Sequence, residues 1–116
     1  ESFWVITGTT KEHKLSKDIA LAAKSNATVV VLMGMGKLPE IIKLFQQENK
    51  NELPVAIIQN GTRTNEKVGI GTVDTILDIV KEKNLSNPAI IVFGEVVKHH
   101  TGFMRVQQAN VKELTA

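Results

Sequence analysis

Thr28-Val29-Val30-Val31-Leu32-Met33-Gly34 is an uninterrupted apolar run closed by a glycine, and two further runs repeat the arrangement: Pro54-Val55-Ala56-Ile57-Ile58-Gln59-Asn60-Gly61 and Pro88-Ala89-Ile90-Ile91-Val92-Phe93-Gly94. Strands covered by helices are buried on both faces, so they lose the polar/apolar alternation of half-exposed strands and read as continuous Val/Ile/Leu stretches. A glycine at the carboxyl end lets the backbone turn sharply or a ligand come close. In open α/β sheets ligands bind in the crevice beyond the carboxyl ends of the strands, which puts the functional question at these three ends.

Working outward, Phe3 to Thr7 forms a further strand, followed by a helix whose apolar positions are Leu15, Ile19, Ala22 and Ala23, with Ser16 as N-cap and Asp18 in the first turn. After Gly34, the loop Met35-Gly36-Lys37 leads to a helix with Pro39 near its first position and Leu38, Ile41, Ile42 and Phe45 on one stripe. Val68 to Thr72 is a short strand feeding a helix whose stripe is Val73, Ile76, Leu77 and Val80, with Thr72 as its cap. Asn84-Leu85-Ser86-Asn87-Pro88 stops that helix and turns the chain into the last strand. The expected fold is α/β: about five strands in a mixed, mostly parallel sheet with helices on both faces. Strands joined without a helix between them can run antiparallel. Periodicity fades from Lys98, so 102–116 reads as an extended tail.

The 116 residues suit one domain with one core, and 42% hydrophobic with 22% charged residues is ordinary globular composition. No segment approaches the ~20 apolar residues of a membrane span, so no membrane partner is expected. The absence of cysteine removes thiol chemistry and suits a cytoplasmic location. A net charge of +2 is mildly basic, yet only 4% of residues are aromatic and none is tyrosine, so platforms for stacking bases are scarce and no nucleic-acid partner is expected. With Glu1 in place of methionine and a strand already starting at Phe3, the expectation is an excised piece of a longer protein without a targeting segment.

Several motifs fail on their chemistry. Gly34-Met35-Gly36-Lys37 lacks the spacing of a phosphate loop and has Leu38 where that loop needs Ser or Thr; as a dinucleotide fingerprint it has Pro39 at the third glycine, and Gly69-Ile70-Gly71 likewise ends in Asp74. Asp18, Asp74 and Asp78 fall in expected helices, which removes a phosphoacceptor cluster at strand ends. His13, His99 and His100 have no partners at metal-ligand intervals, and the adjacent pair would face opposite ways in an extended segment, so no metal is expected. Glu95, directly after Gly94, is the carboxylate placed at a strand end; it can serve as a general base or hold a polar ligand, or simply face solvent. The Asn-x-Ser/Thr triplets at Asn26, Asn60 and Asn84 are chance matches without a secretory signal.

Four ordered motifs remain: Val30-Val31-Leu32-Met33-Gly34-Met35-Gly36-Lys37-Leu38-Pro39-Glu40-Ile41, Pro54-Val55-Ala56-Ile57-Ile58-Gln59-Asn60-Gly61-Thr62, Gly71-Thr72, and Pro88-Ala89-Ile90-Ile91-Val92-Phe93-Gly94-Glu95-Val96-Val97. Together they resemble the tetrapyrrole methylase family, from about Phe3 to Lys98, and the likeness is strongest to its members acting on uroporphyrinogen III. Members have two α/β domains with S-adenosylmethionine in the cleft between them. The resemblance implies that 1–116 is the carboxy-terminal domain only, and that the glycine-rich loops of the amino-terminal domain match nothing here. It implies cofactor contacts at Met33, Gly61 and Ala89, with no catalytic side chain in this half.

The implied activity is methyl transfer from S-adenosylmethionine to uroporphyrinogen III, giving precorrin-2 on the way to sirohaem or cobalamin, without a metal. The implied partners are the missing amino-terminal domain, the tetrapyrrole substrate and a second copy in a homodimer, with the fragment alone inactive. Asn65-Glu66-Lys67 departs from the family, whose members often place Gln before the basic residue. Lys37, Lys98, His99, His100 and Arg105 can attract a substrate bearing many carboxylates, or form a solvated surface. The alternatives are a free-standing nucleoside-binding module without chemistry and a dimerisation module.

Overall fold

The computed structural model describes residues 2–9, 14–59 and 66–99. Five strands form one sheet in the order β1-β2-β5-β3-β4: β1 (Phe3–Thr7), β2 (Thr28–Leu32), β3 (Pro54–Gln59), β4 (Lys67–Thr72) and β5 (Ala89–Phe93). The helices are α1 (Lys17–Lys24), α2 (Leu38–Gln47), α3 (Ile76–Lys83) and the four-residue α4 (Val96–His99), and a 3-10 turn, Met35–Lys37, precedes α2. The α/β sheet read from the sequence is therefore present, but the pairing departs from mostly parallel. Only β1 and β2 pair in parallel; β5 runs antiparallel to both β2 and β3, and β4 antiparallel to β3. The cause is that β4 follows β3 in the chain and pairs with it antiparallel. Because β4 folds straight back along β3, α3 starts at the far edge and returns the chain, and β5 must then run downward between β2 and β3.

Side chains of the three central strands line up in two rows on one face, Val29 with Phe93 and Val55, and Val31 with Ile91 and Ile57. All six are essentially fully buried. This face takes α1 through Ile19, Ala22 and Ala23, and α2 through Leu38, Ile41, Ile42 and Phe45, the stripes expected from their spacing. Phe45 stacks on Phe93 with ring centroids 4.0 Å apart and planes 5° from parallel. The helix α3 packs on β4, where Gly69 and Gly71 leave room for Ile79. The opposite face is covered unequally: Ala56 is fully buried and α4 packs against β3, while Phe3, Val5 and Ile90 remain exposed.

Ser16 caps α1 as expected, its Oγ accepting from the Asp18 amide. Thr72 is not the cap of α3, which begins at Ile76. The intervening residues are held elsewhere, because the Val73 and Asp74 amides donate to the Leu53 and Asn51 carbonyls and tie this turn to the loop before β3. Asp74 thus lies ahead of the helix, its Oδ1 accepting from Gln46 and Asn51 side chains. The segment after Gly94 is also helical, so the backbone at His99 belongs to α4 and not to an extended stretch. His13, His100, Arg105 and the tail 102–116 lie outside the described residues.

Candidate functional site

Strands β1, β2 and β3 point the same way, so their carboxyl ends share one edge of the sheet; β5, pointing the other way, contributes its amino end there. This edge holds a cleft of about 520 Å³ lined by Thr9, Met33, Gly36, Lys37, Asn87, Pro88 and Ala89. That volume lies within the ~300–1,000 Å³ usual for small-molecule sites. Three connections converge on it: the exit of β1, the turn from β2 into α2, and the approach to β5.

The exit of β1 is pressed against the exit of β2. The Gly8 amide donates to the Leu32 carbonyl, and a Cβ at Gly8 would lie 2.6 Å from the Gly34 Cα, so only glycine permits this approach. Met33 then turns the chain with φ of +54°, a left-handed conformation uncommon for a side chain of its size, and it is 66% exposed. A methionine held in that region and left in solvent does not fill the core; backbone strain of this kind concentrates at ligand sites. The Met33 carbonyl accepts from Thr9 Oγ1 at 3.4 Å, and the Lys37 amide donates to the Gly34 carbonyl to close the turn.

On the other wall, the chain leaves α3 through Asn84, whose φ of +54° ends the helix, and the Leu85 amide returns to the Val80 carbonyl. A cis Asn87–Pro88 peptide follows, and then Ala89 opens β5. An apolar groove of about 490 Å³, lined by Leu38, Leu77, Val80 and Leu85, adjoins the cleft and shares Gly36 and Asn87 with it.

The structure brings Met33 and Ala89 together in the cleft. Gly61 lies outside the described residues, although Gln59, two positions before it, ends β3 at the same edge as Ala89. Glu95 is at the opposite edge, because β5 runs away from the cleft; it is exposed there and makes an ion pair of 3.9 Å with Lys98. The lysines singled out from the sequence are divided likewise, Lys37 in the cleft and Lys98 at the far edge. The far edge also contains Lys50, whose Nζ donates to the Ser25 carbonyl and whose pKa is lowered by burial against an opposing pull from Glu48. Sequence reasoning missed Thr9, Asn87 and Pro88 as lining residues; Asn-Pro marks a turn, but only the direction of β5 assigns that turn to the cleft.

Lys37 is the ionisable side chain among the described lining residues, which otherwise offer main-chain donors and acceptors and small polar groups. Such a lining can orient a ligand but supplies neither a general base nor a nucleophile of high reactivity. Among the described residues, no three His, Cys, Asp or Glu side chains gather as metal ligands, and no helix is long and apolar enough to cross a membrane.

Against known proteins, residues 2–77 match the family model of tetrapyrrole (corrin/porphyrin) methylases. The chain is 41% identical over 98 residues to the uroporphyrinogen-III C-methyltransferase of Methanocaldococcus jannaschii, covering 83% of this chain and 40% of that protein. It is 35% identical over 96 residues to the siroheme synthase of Nitrosomonas europaea, covering 82% of this chain and 20% of the relative. Among solved structures, uroporphyrin-III C-methyltransferase of Thermus thermophilus in complex with S-adenosyl homocysteine aligns with a TM-score of 0.72 at 21% identity, over 84% of this chain and 43% of that one. A cobalt precorrin-4 methyltransferase aligns with the same TM-score at 16% identity, over 81% and 40%. These structures are similar in fold. The chain spans less than half the length of the relatives it matches.

Proposed function

The chain belongs to the tetrapyrrole methylase family, and from that premise we propose that it forms the carboxy-terminal half of an S-adenosylmethionine-dependent C-methyltransferase acting on uroporphyrinogen III. The product would be precorrin-2, a precursor of sirohaem and cobalamin, made in the cytoplasm. The observation that carries this reading is the meeting of Met33 and Ala89 in one cleft, since these are two of the three positions the family resemblance assigns to the cofactor. Gly61 is retained as the third.

The fit rests on the lining. Where β1 and β2 end, main-chain groups pass out of the ladders, and those not already bonded within the turns can pair with a heterocycle edge. The left-handed turn at Met33 brings Met33, Gly36 and Lys37 onto one wall of the cleft, and Ala89 lies on the facing wall. When bound, the cofactor supplies an electrophilic methyl group on a sulfonium centre. The residues here bind and orient its nucleoside end, and Lys37 adds a positive charge at the rim, where it favours an anionic substrate. Alignment of a donor with a nucleophilic carbon removes the largest part of the entropic barrier, so no side chain of this half need react.

The remaining wall of the site is assigned to an amino-terminal domain, consistent with the chain spanning about 40% of its methyltransferase relative. We assign no metal to the site, and we propose assembly as a homodimer, which sedimentation would test. The main test is turnover. The two-domain protein should bind S-adenosyl homocysteine and form precorrin-2, and the 116-residue chain alone should form none. Precorrin-2 made by the isolated chain would overturn the half-site reading, and failure of the two-domain protein to bind S-adenosyl homocysteine would overturn the cofactor assignment.

A further inference from the structure

Gln59 is the one polar side chain buried in the core among the described residues, at 9% exposure. It ends β3, in register with Ala89 of β5, and its Oε1 accepts a hydrogen bond of 2.7 Å from the Ser86 amide. Because the donor is a backbone N–H, the acceptor must be the amide oxygen of Gln59. The bond joins β3, which runs on in sequence to Asn60 and Gly61, to the segment that carries Asn87, Pro88 and Ala89 along the cleft.

That segment is held at one side by Leu85, which is buried and whose amide donates to the Val80 carbonyl. Beyond Leu85 the chain is exposed through Ser86, Asn87 and Pro88, and Pro88 has no N–H with which to fasten itself. The bond to Gln59 is thus placed immediately before the three residues that form the wall. Burying an amide is costly unless it is paired, so the bond fixes both partners: Gln59 cannot leave Ser86 without stranding its own oxygen. Gln59 is itself absent from the residues lining the cleft.

We propose that Gln59 is a positioning residue of the cofactor cleft: through the Ser86 amide it holds the Asn87–Pro88–Ala89 wall at a fixed distance from Met33, without touching the ligand. This rests on the cofactor reading given above. The neutral amide suits the site, since a carboxylate there would accept the same bond only at a desolvation cost.

The test compares Gln59→Met, which keeps length but lacks the acceptor, with Gln59→Glu, which retains it, both in the two-domain protein. Titration with S-adenosyl homocysteine should give a Kd about tenfold weaker for Gln59→Met, the loss expected for one hydrogen bond. Gln59→Glu, which keeps the acceptor at a desolvation cost, should bind about threefold tighter than Gln59→Met. Hydrogen–deuterium exchange over residues 84–89 should be faster in Gln59→Met and restored in Gln59→Glu. If Gln59→Met does not fold, Gln59→Asn, too short to reach Ser86, replaces it. A wild-type protein that binds, with a Gln59→Met variant that binds equally well or a Gln59→Glu variant no better than Gln59→Met, overturns this proposal alone. A wild-type protein that does not bind overturns the cofactor reading and the proposal with it.

Discussion

Gly34 and Gly36 stand two residues apart in Gly34-Met35-Gly36-Lys37, yet replacing each by alanine should have opposite effects. A Cβ on Gly34 would lie 2.6 Å from Val31 Cγ1 and 3.2 Å from the Cδ1 atoms of Ile41 and Ile91. Val31, Ile41 and Ile91 are fully buried, and the β-branched Val31 has little rotamer freedom, so none can yield without moving its strand or helix. The Gly34 φ of −109° is open to any residue, so the cost is overpacking alone, about 2–3 kcal/mol. At roughly 4 °C per kcal/mol, Gly34→Ala should melt about 10 °C below wild type. At Gly36 a Cβ meets nothing within 4 Å, and the residue sits in a 3-10 turn that alanine adopts freely. Gly36→Ala should match wild type or gain about 0.5 kcal/mol, because the unfolded chain loses freedom. Thermal unfolding of both variants by circular dichroism decides the matter. Equal destabilisation by the two substitutions would refute the packing assigned to the β2 exit.

Met33→Gly should stabilise the protein by about 1 kcal/mol, since it relieves a left-handed backbone and removes a side chain already in solvent; lower stability in urea unfolding would contradict the assigned strain. Phe45→Ala should cost about 3–5 kcal/mol, as it empties a fully buried site and removes the stack on Phe93, and a midpoint near that of wild type would deny that this pair anchors α2. Burial lowers the Lys50 pKa below 10.5, so between its folded value and 10.5 the unfolded chain holds the proton more tightly and stability rises with pH across that window. In Lys50→Met that rise should disappear from unfolding free energies measured at increasing alkaline pH, and its persistence would assign it to another group.

The sequence on its own determined the five strands, the three longer helices and most of the core, because periodicity and capping act over a few residues; α4 and the start of α3 were not legible. The stripe of Leu38, Ile41, Ile42 and Phe45, the Ser16 cap and the apolar strands all sit where their spacing put them. Met33 was singled out in the sequence by a motif, and the structure places it on the cleft in a left-handed turn. The composition of the cleft was not legible, since it depends on which strand ends share an edge. Three glycine-terminated runs look equivalent in the sequence, but β4 reverses along β3, and that single reversal turns β5 over. Ala89 is thereby carried to Met33 while Gly94 and Glu95 are carried to the far side of the sheet. Strand direction is set by the path of the whole chain through space, which no local window of residues encodes, and the bond from Gln59 to Ser86 exists only once that path is complete.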